Sequence, residues 1–333
     1  MRKEKKIPRV RIGGLSIFVG FFVSIITSKT LFLGNDISFF NLNFFYASSL
    51  IGITFFILGL YDDIFQLGPI KRLIFQFILA IIISIYFFNI SLINISFLNF
   101  QVLSFYLNPL INILLTFLWL VGITNAINWL DGLDGLAAGL VSIFSIGFMV
   151  VSLNFGNILP FIYSTALFGT SISFLKFNNF PAKIFMGDSG SYLFGVNVAI
   201  LAIFSSSNQI NLIEDSFFGR VNLELNVLFP LLILFIPLMD MILVISRRLL
   251  KGKSIFFPDR SHLHHRLMKL GFNEQKTVFA IYCLASATTL FSFTNVNFIS
   301  VISFLLFLFV LIKGIKQIYK NPKLLKHLFN FEE

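Results

Sequence analysis

Long uninterrupted apolar segments restrict the fold of this chain more than any other feature of its sequence. They run for about 17 to 23 residues each, and a helix of that length spans a hydrocarbon core of roughly 30 Å. Membrane barrels give shorter, alternating segments, and a soluble domain has about a quarter charged residues, against 12% here. The sequence therefore predicts an all-α, polytopic membrane protein in which residues 1–333 form a single domain.

Hydropathy predicts ten transmembrane spans. They cover about 12–34, 44–60, 72–88, 107–124, 136–153, 158–175, 190–206, 225–246, 277–293 and 297–315. With the N-terminus in the cytoplasm, 23 of the 25 basic residues fall on internal segments, and only Lys29 and Arg220 lie outside. Because cytoplasmic loops are enriched in Lys and Arg, both termini are predicted to be cytoplasmic. The net charge of +10 follows the same bias, and its distribution argues against a nucleic-acid partner.

The external loops carry fewer signals. Residues 89–106 alternate apolar and polar side chains, which predicts a short hairpin, and residues 207–224 are expected to be a solvated loop. Cys283 is the only cysteine of the chain and lies in an apolar run, so no disulfide or thiolate metal site is expected. The chemistry should therefore lie in four internal loops.

The first internal loop places Asp62 and Asp63 at the end of one span, and Lys71 and Arg72 open the next. Adjacent carboxylates repel, so such a pair near a membrane usually holds a cation or a proton. Mg²⁺ prefers carboxylate oxygens and often bridges to substrate phosphates. A polar turn capped by the following helix is the simpler explanation of the aspartates, and the basic residues also fit as interfacial anchors.

The second internal loop contains Asp131 and Asp134, which at i and i+3 would share one face of a helix. Asn125 and Asn128 repeat this spacing, so all four side chains are predicted to line a polar pocket beside the membrane. Ionisable residues at a membrane border are usually functional. A buried hydrogen-bonded network between helices is the alternative.

The third internal loop places Asp188 between Gly187 and Gly190 at the start of a span. A helix N-terminus with glycines binds anions through its free backbone amides, while the carboxylate can hold a metal. Phe185 is either a core residue or a surface on which a base stacks.

The fourth internal loop contains His262, His264 and His265 together with Arg260 and Arg266. Zinc is the obvious alternative ligand, but the adjacent His264 and His265 do not easily converge on one ion. Cationic and hydrogen-bonding side chains around a phosphate fit better, and a basic loop held against anionic lipid is the simpler interpretation. Asp240, within the eighth span, ranks below the loop aspartates because it could simply pair with a neighbouring helix.

Five segments of the chain together resemble one family, the polyprenyl-phosphate N-acetylhexosamine-1-phosphate transferases of glycosyltransferase family 4 type. The segments are PRVRIGGLSIF, YDDIFQLGPIKR, NAINWLDGLDGLAAG, IFMGDSGSYLFG and PDRSHLHHRL. The last segment and Asp240 resemble the N-acetylglucosamine branch more than the phospho-N-acetylmuramoyl-pentapeptide branch, which stays the alternative. Family members usually carry one further span ahead of the first segment.

The resemblance implies a Mg²⁺-dependent reaction, with Mn²⁺ as a second choice of ion, at the cytoplasmic face of the plasma membrane. A UDP-N-acetylhexosamine would donate its sugar 1-phosphate to undecaprenyl phosphate and release UMP. Asp188 would hold the metal with Asp134 as a second ligand, and Asp62 or Asp63 would activate or position the lipid phosphate. The nucleotide pocket and the phosphate contacts would come from Asn128, Asp131, Asn178, Phe185, His262, His264 and His265.

Several questions stay open at the level of sequence. They are the identity of the hexosamine, the glycan pathway, a one-step or a covalent two-step mechanism, and a homodimer. An intramembrane prenyltransferase would need two aspartate-rich motifs but neither the Asp188 segment nor the histidines. A transporter would carry charges near the midplane and internal symmetry, and neither is visible.

Overall fold

The computed structural model describes residues 13–32, 39–86, 88–97, 100–106, 108–213, 220–255 and 261–293. This part of the chain is mainly helical. Its helices are α1 (Gly13–Phe32), α2 (Phe39–Phe65), α3 (Pro69–Tyr86), α4 (Pro109–Leu130), α5 (Leu136–Asn154), α6 (Ile158–Asn178), α7 (Gly187–Phe204), α8 (Leu228–Ile233), α9 (Phe235–Leu250), α10 (Leu263–Lys269) and α11 (Glu274–Phe293).

Six of the described helices, namely α2, α4, α5, α6, α7 and α11, are long and apolar enough to cross a membrane. A shorter apolar stretch covers Gly13–Ser28 of α1. The protein is therefore a multi-pass membrane protein, as predicted. The tenth predicted span, 297–315, and both termini lie outside the described residues, so ten crossings with cytoplasmic ends stay a prediction.

The all-α prediction holds for the bundle of helices, and in addition four strands form one sheet. The strands are β1 (Phe88–Phe97), β2 (Phe100–Tyr106), β3 (Ser207–Ile213) and β4 (Arg220–Asn226), in the order β2-β1-β4-β3. The predicted hairpin is confirmed, because β1 and β2 pair antiparallel. The region expected to be a solvated loop instead contributes β3 and β4, and β4 pairs parallel with β1. Strands β1 and β4 are far apart in sequence, so no local sequence pattern predicts that they pair.

The eighth predicted span, 225–246, is divided into α8 and α9 at Leu234. The break lies just ahead of Pro237, which has no backbone N–H to donate and whose ring clashes with the carbonyl four residues earlier. Helix α9 then continues to Leu250, so it carries Asp240 toward the end of the bundle where the catalytic loops were predicted.

Helix α7 lies at the centre of the bundle, and every residue from Ser189 to Phe204 is buried. It packs mainly against α2 and α4, and glycines allow both close approaches. A Cβ on Gly59 would lie 2.5 Å from the Asp188 carbonyl oxygen, and one on Gly195 would lie 2.7 Å from the Thr124 Cα. Helix α7 is thus held closely between α2 and α4.

Candidate active site

The end of α2 caps the start of α7. The Asp63 carboxylate accepts hydrogen bonds from the backbone amides of Asp188, at 2.8 Å, and Ser189, at 2.9 Å. The first amides of a helix have no partner within the helix, and a carboxylate there also offsets the helix dipole. Asp63 therefore holds the segment that carries Asp188.

Asp62 faces a different set of partners and is almost fully buried, with 3% of its surface exposed. Its carboxylate accepts hydrogen bonds from the Leu67 amide at 2.8 Å, from Arg72 Nη1 at 3.2 Å and from the Tyr192 hydroxyl at 3.1 Å. The two adjacent aspartates are thus satisfied separately and do not form one paired site. Lys71 is exposed, unlike the half-buried Arg72.

Asn128, near the end of α4, orients the Asp188 side chain. Its Nδ2 donates to Asp188 Oδ1 at 2.6 Å and to Ser191 Oγ at 2.9 Å. Asn125 is not part of this arrangement, because its Nδ2 donates to Gln76 Oε1 at 2.6 Å and to the Val121 carbonyl. The prediction that all four polar side chains of this loop share one pocket is therefore wrong for Asn125, which packs against α3.

Asp131 and Asp134 lie on a turn rather than on a helix, because α4 ends at Leu130 and α5 begins at Leu136. The expectation of one shared helix face is wrong, yet both side chains line the same pocket. Asp134 Oδ2 accepts a hydrogen bond from the Ala182 amide at 2.8 Å. Burial, and then the nearby charges of Asp188, Asp63 and Asp134, raises the pKa of Asp131 to about 8.

Asn178 braces this turn from α6. Its Oδ1 accepts from the Gly135 amide at 3.1 Å, and its Nδ2 donates to the Ile184 carbonyl at 2.9 Å. Phe185 lies beside it in the pocket wall, where its backbone carbonyl accepts from the Gly13 amide. Asn178 thus fixes the geometry of the pocket in addition to lining it.

The histidines of the fourth loop take different positions. Asp240 Oδ2 lies 2.9 Å from His262 Nδ1, and Asp240 Oδ1 accepts from the Leu263 amide at 2.7 Å. Asp240, ranked low on sequence grounds, is therefore the residue that orients His262. The sequence feature that indicates a role for Asp240 is the presence of a carboxylate within an otherwise apolar span. Arg260 lies outside the described residues.

His264 packs under the turn that carries the aspartates. A Cβ on Gly132 would lie 2.7 Å from His264 Nε2, so only glycine accommodates this contact. Burial, followed by the neighbouring His265 and His262, lowers the pKa of His264 to about 4. The ring is therefore neutral at pH 7, and that of His265 lies 4.3 Å away, centroid to centroid.

Two cavities meet at these residues. The polar pocket has a volume of about 350 Å³ and is lined by Asp63, Asn128, Asp131, Gly132, Leu133, Asp134, Asn178, Phe185, Gly187 and Asp188. The apolar cleft, of about 690 Å³, lies between α3, α4 and α9. Its polar residues are Arg72, Asn125, Trp129, Arg248 and His262.

Arg72 joins the two cavities. It lines the apolar cleft, yet its Nη1 lies 3.9 Å from Asp188 Oδ2 in the polar pocket. Trp129 supports the cleft beside it, with Arg248 5.3 Å above its ring and His262 edge-on at 5.5 Å. Trp129 and Arg248 were missed by sequence reasoning, because an aromatic or basic residue near a membrane boundary is usually an anchor.

Carboxylates dominate the polar pocket. Among its described lining residues four are Asp and none is Lys or Arg, while within the described ranges no group of three or more His, Cys, Asp or Glu side chains could hold a metal by itself. Mg²⁺ is usually bound by one or two carboxylates, with waters and substrate phosphates completing its shell. The donors present therefore fit a magnesium ion that arrives with a phosphorylated substrate.

Comparison with known proteins identifies the family. Residues 44–206 match glycosyl transferase family 4. Over 286 residues, 84% of this chain and 71% of the relative, the sequence is 32% identical to a probable undecaprenyl-phosphate N-acetylglucosaminyl 1-phosphate transferase of Bacillus subtilis. The chain belongs to glycosyl transferase family 4. This family 4 protein is thus a membrane-bound transferase.

Two further relatives distinguish the branches of the family. A decaprenyl-phosphate N-acetylglucosaminephosphotransferase of Mycobacterium leprae is 32% identical over 294 residues, 83% of this chain and 70% of its own. A phospho-N-acetylmuramoyl-pentapeptide-transferase of Clostridium perfringens is 33% identical over 178 residues, 52% of the family 4 chain and 50% of its own. The predicted resemblance to the N-acetylglucosamine branch is confirmed.

Proposed function

We propose that this protein transfers N-acetylglucosamine 1-phosphate from UDP-N-acetylglucosamine to undecaprenyl phosphate. UMP is released, and the lipid-linked sugar starts the synthesis of a cell-envelope glycan. The whole chain acts as one transferase domain. The substrates named for the relatives that align over most of the chain support this choice.

The observation that carries the proposal is the position of Arg72 between the two cavities. A polyprenyl phosphate has an apolar chain and an anionic head, so it needs an apolar cleft that ends at a cation. The cleft between α3, α4 and α9 meets this requirement, and its Arg72 approaches Asp188 of the polar pocket. The lipid phosphate would therefore reach the donor pyrophosphate beside Asp188.

In the polar pocket, the side chains that face the donor have separate roles. Asn128 orients the Asp188 carboxylate through its 2.6 Å hydrogen bond, and Phe185 offers a ring on which the uracil stacks. His264, which is neutral, contacts the turn at Gly132 and provides a hydrogen-bonding group without adding charge. Asn178 holds the opposite wall.

Asp188 and Asp134 would hold Mg²⁺, with Mn²⁺ as an alternative. When bound, the ion would neutralise charge on the pyrophosphate oxygens of the donor. Asp63 keeps the start of α7, and thus Asp188, in place, while Asp131 adds a further oxygen to the lining of the same pocket. The excess of carboxylates over basic residues in this pocket supports the binding of a cation.

In the apolar cleft, Arg72 binds the lipid phosphate, and the Asp62 carboxylate fixes its guanidinium at 3.2 Å. His262 faces the same cleft, and the hydrogen bond of its Nδ1 to Asp240 leaves Nε2 available to the phosphate. Such a carboxylate–histidine pair sets the orientation and the tautomer of the His262 ring. The buried Asp62 is a positioning residue, because it acts on the lipid phosphate only through Arg72.

The reaction exchanges one phosphoanhydride for another. An oxygen of the lipid phosphate attacks the β-phosphorus of the donor, the bond from that phosphorus to the bridging oxygen breaks, and UMP leaves with that oxygen. A phosphate monoester has a second pKa of about 6, so the nucleophile is ionised at neutral pH. Catalysis therefore consists mainly of positioning and charge neutralisation.

The site would face the cytoplasm, where UDP-sugars are available. Apart from Lys29 and Arg220, the basic residues of the chain fall on segments that the sequence predicts to be internal, as do the loops of the site, which supports the orientation by the positive-inside rule. The plasma membrane then supplies undecaprenyl phosphate by lateral diffusion into the apolar cleft.

The decisive experiment supplies purified protein in membranes with undecaprenyl phosphate, Mg²⁺ and radiolabelled UDP-N-acetylglucosamine. Label in the organic phase is measured together with released UMP, for the wild type, for Asp188→Asn and for Glu274→Gln. Glu274 begins α11 and lines neither cavity, so its variant controls for the loss of a carboxylate.

We expect equal amounts of lipid-linked label and UMP from the wild type and the control, and none from Asp188→Asn or with EDTA. Transfer only from UDP-N-acetylmuramoyl-pentapeptide would replace the sugar assignment. Exchange of labelled UMP into the donor without lipid would indicate a covalent intermediate. Absence of transfer from every UDP-sugar with folded protein would refute the proposal.

A further inference from the structure

Gly135, at the end of the aspartate-bearing turn, is held through both of its backbone groups. Its N–H donates to Asn178 Oδ1 of α6 at 3.1 Å, and its carbonyl accepts from the Tyr282 hydroxyl of α11 at 2.6 Å. Its φ of +81° lies in the left-handed region, which glycine adopts without strain. Two helices distant in sequence thus hold the peptide groups on both sides of Gly135.

The Tyr282 ring occupies a notch made by a second glycine, one turn into α5. A Cβ on Gly139 would overlap the Tyr282 hydroxyl oxygen, so any larger residue there would displace the ring. The hydroxyl therefore reaches Gly135 only because position 139 has no side chain.

The turn between these helices needs such restraint. Residues 131–135 lie outside both α4 and α5, and they carry two of the four carboxylates in the polar pocket. The turn lacks a continuous ladder of helical hydrogen bonds, so its shape depends on bonds from other elements. The Ala182 amide holds the Asp134 side chain, and the Tyr282 hydroxyl holds Gly135 at the end of the turn.

We infer that Tyr282 is a positioning residue for the transfer reaction, acting through Gly135 on the placement of Asp131 and Asp134. Tyr282 itself lines neither cavity and touches no reacting group. The inference rests on the proposed function for its kinetic consequence, although the clamp on the turn is a property of the fold.

Removal of the hydroxyl should leave the fold intact. The Gly135 carbonyl also accepts the Gly139 amide at 3.0 Å, so Tyr282→Phe does not leave it without a donor. One such bond makes only a small net contribution to the stability of a folded protein. The variant therefore separates positioning from folding.

The experiment compares Tyr282→Phe with Tyr163→Phe. Tyr163 is fully buried and donates to Asn197 Oδ1 within the membrane-spanning bundle, so its variant removes a buried tyrosine hydroxyl outside the site. Two quantities are measured: the kcat and KM of sugar-phosphate transfer, and the hydrogen–deuterium exchange of the backbone amides of residues 131–136 without substrates.

We expect Tyr282→Phe to lower kcat about tenfold, since small misplacements of catalytic groups have large effects, and to speed the exchange of these amides. Tyr163→Phe should change neither beyond the amount of folded protein. Gly139→Ala, which displaces the ring, should reproduce the Tyr282→Phe result. Wild-type kcat and wild-type amide exchange in Tyr282→Phe would overturn the inference. An inactive wild type would refute the proposed function instead, and the exchange rates would still test the clamp.

Discussion

The Asp63 carboxylate lies 2.8 Å from the backbone amide of Asp188, so the last turn of α2 holds the first turn of α7. The second oxygen accepts from Ser189 at 2.9 Å, and both amides would otherwise lack a partner within the helix. One side chain therefore couples two helices that are 125 residues apart in sequence and presents Asp188 to the pocket.

Replacement of Asp63 should affect both stability and activity. Asp63→Ala removes both capping bonds and should lower the free energy of unfolding by about 1–2 kcal/mol, together with most of the transfer activity. Asp63→Asn keeps one acceptor oxygen and should recover part of the stability. Thermal unfolding in detergent measures the first effect and lipid-linked label the second. Unchanged stability in Asp63→Ala would contradict the capping role.

Replacement of Arg72 should act on the lipid substrate more than on the nucleotide. Arg72→Gln removes the cation at the end of the apolar cleft, so the KM for undecaprenyl phosphate should rise about tenfold or more, since charge-assisted hydrogen bonds to phosphate are strong. The KM for UDP-N-acetylglucosamine should change less. Lys276→Gln, an exposed basic residue of α11, is the control. Equal changes in both KM values would argue against a lipid-phosphate site at Arg72.

Asp131 should make stability depend on pH when no metal is bound. Its folded pKa is raised from 3.8 to about 8, so between these values the folded state binds more protons than the unfolded state. Stability in EDTA should therefore fall as the pH rises through this range. Asp131→Asn should remove this dependence and stabilise the protein at pH 8 by about 1–2 kcal/mol, because water in the pocket screens the neighbouring charges.

Thermal unfolding of wild type and Asp131→Asn at pH 6 and pH 8 measures this effect, with and without Mg²⁺. Added Mg²⁺ should reduce the difference between the two proteins at pH 8, since it offsets the charge of the surrounding carboxylates. If Asp131→Asn is less stable than wild type at pH 8 in EDTA, the ionised Asp131 side chain does not destabilise the folded protein, and the prediction is wrong.

Enlarging Gly132 should displace His264. A Cβ at this position would lie 2.7 Å from His264 Nε2, so Gly132→Ala forces the ring or the turn to move. We expect transfer to fall about a hundredfold, as for a misplaced catalytic group, with a small change in stability. Gly169→Ala is the matched control because a Cβ there meets no atom within 4 Å. Wild-type activity in Gly132→Ala would exclude a close functional contact between His264 and the turn.

The general architecture and the catalytic loops could be predicted from sequence alone. Long apolar runs have few alternatives to membrane helices, because unpaired backbone groups are too costly in hydrocarbon. Charged residues at a membrane border are costly as well, so Asp131, Asp134 and Asp188 stand out against the apolar sequence. The order of the motifs that contain them is also sufficient to indicate the family.

The tertiary structure alone decided which cavity each side chain faces. Successive residues on a helix point about 100° apart, so Asp62 and Asp63 have different hydrogen-bond partners despite being adjacent, and Asn125 and Asn128 face different cavities. Hydrogen bonds between His262 and Asp240 and from Tyr282 to Gly135 join segments that no local pattern relates. The sequence determined that the chain forms a membrane bundle with acidic loops, and helix packing determined how those loops become a site, because packing brings together residues far apart along the chain.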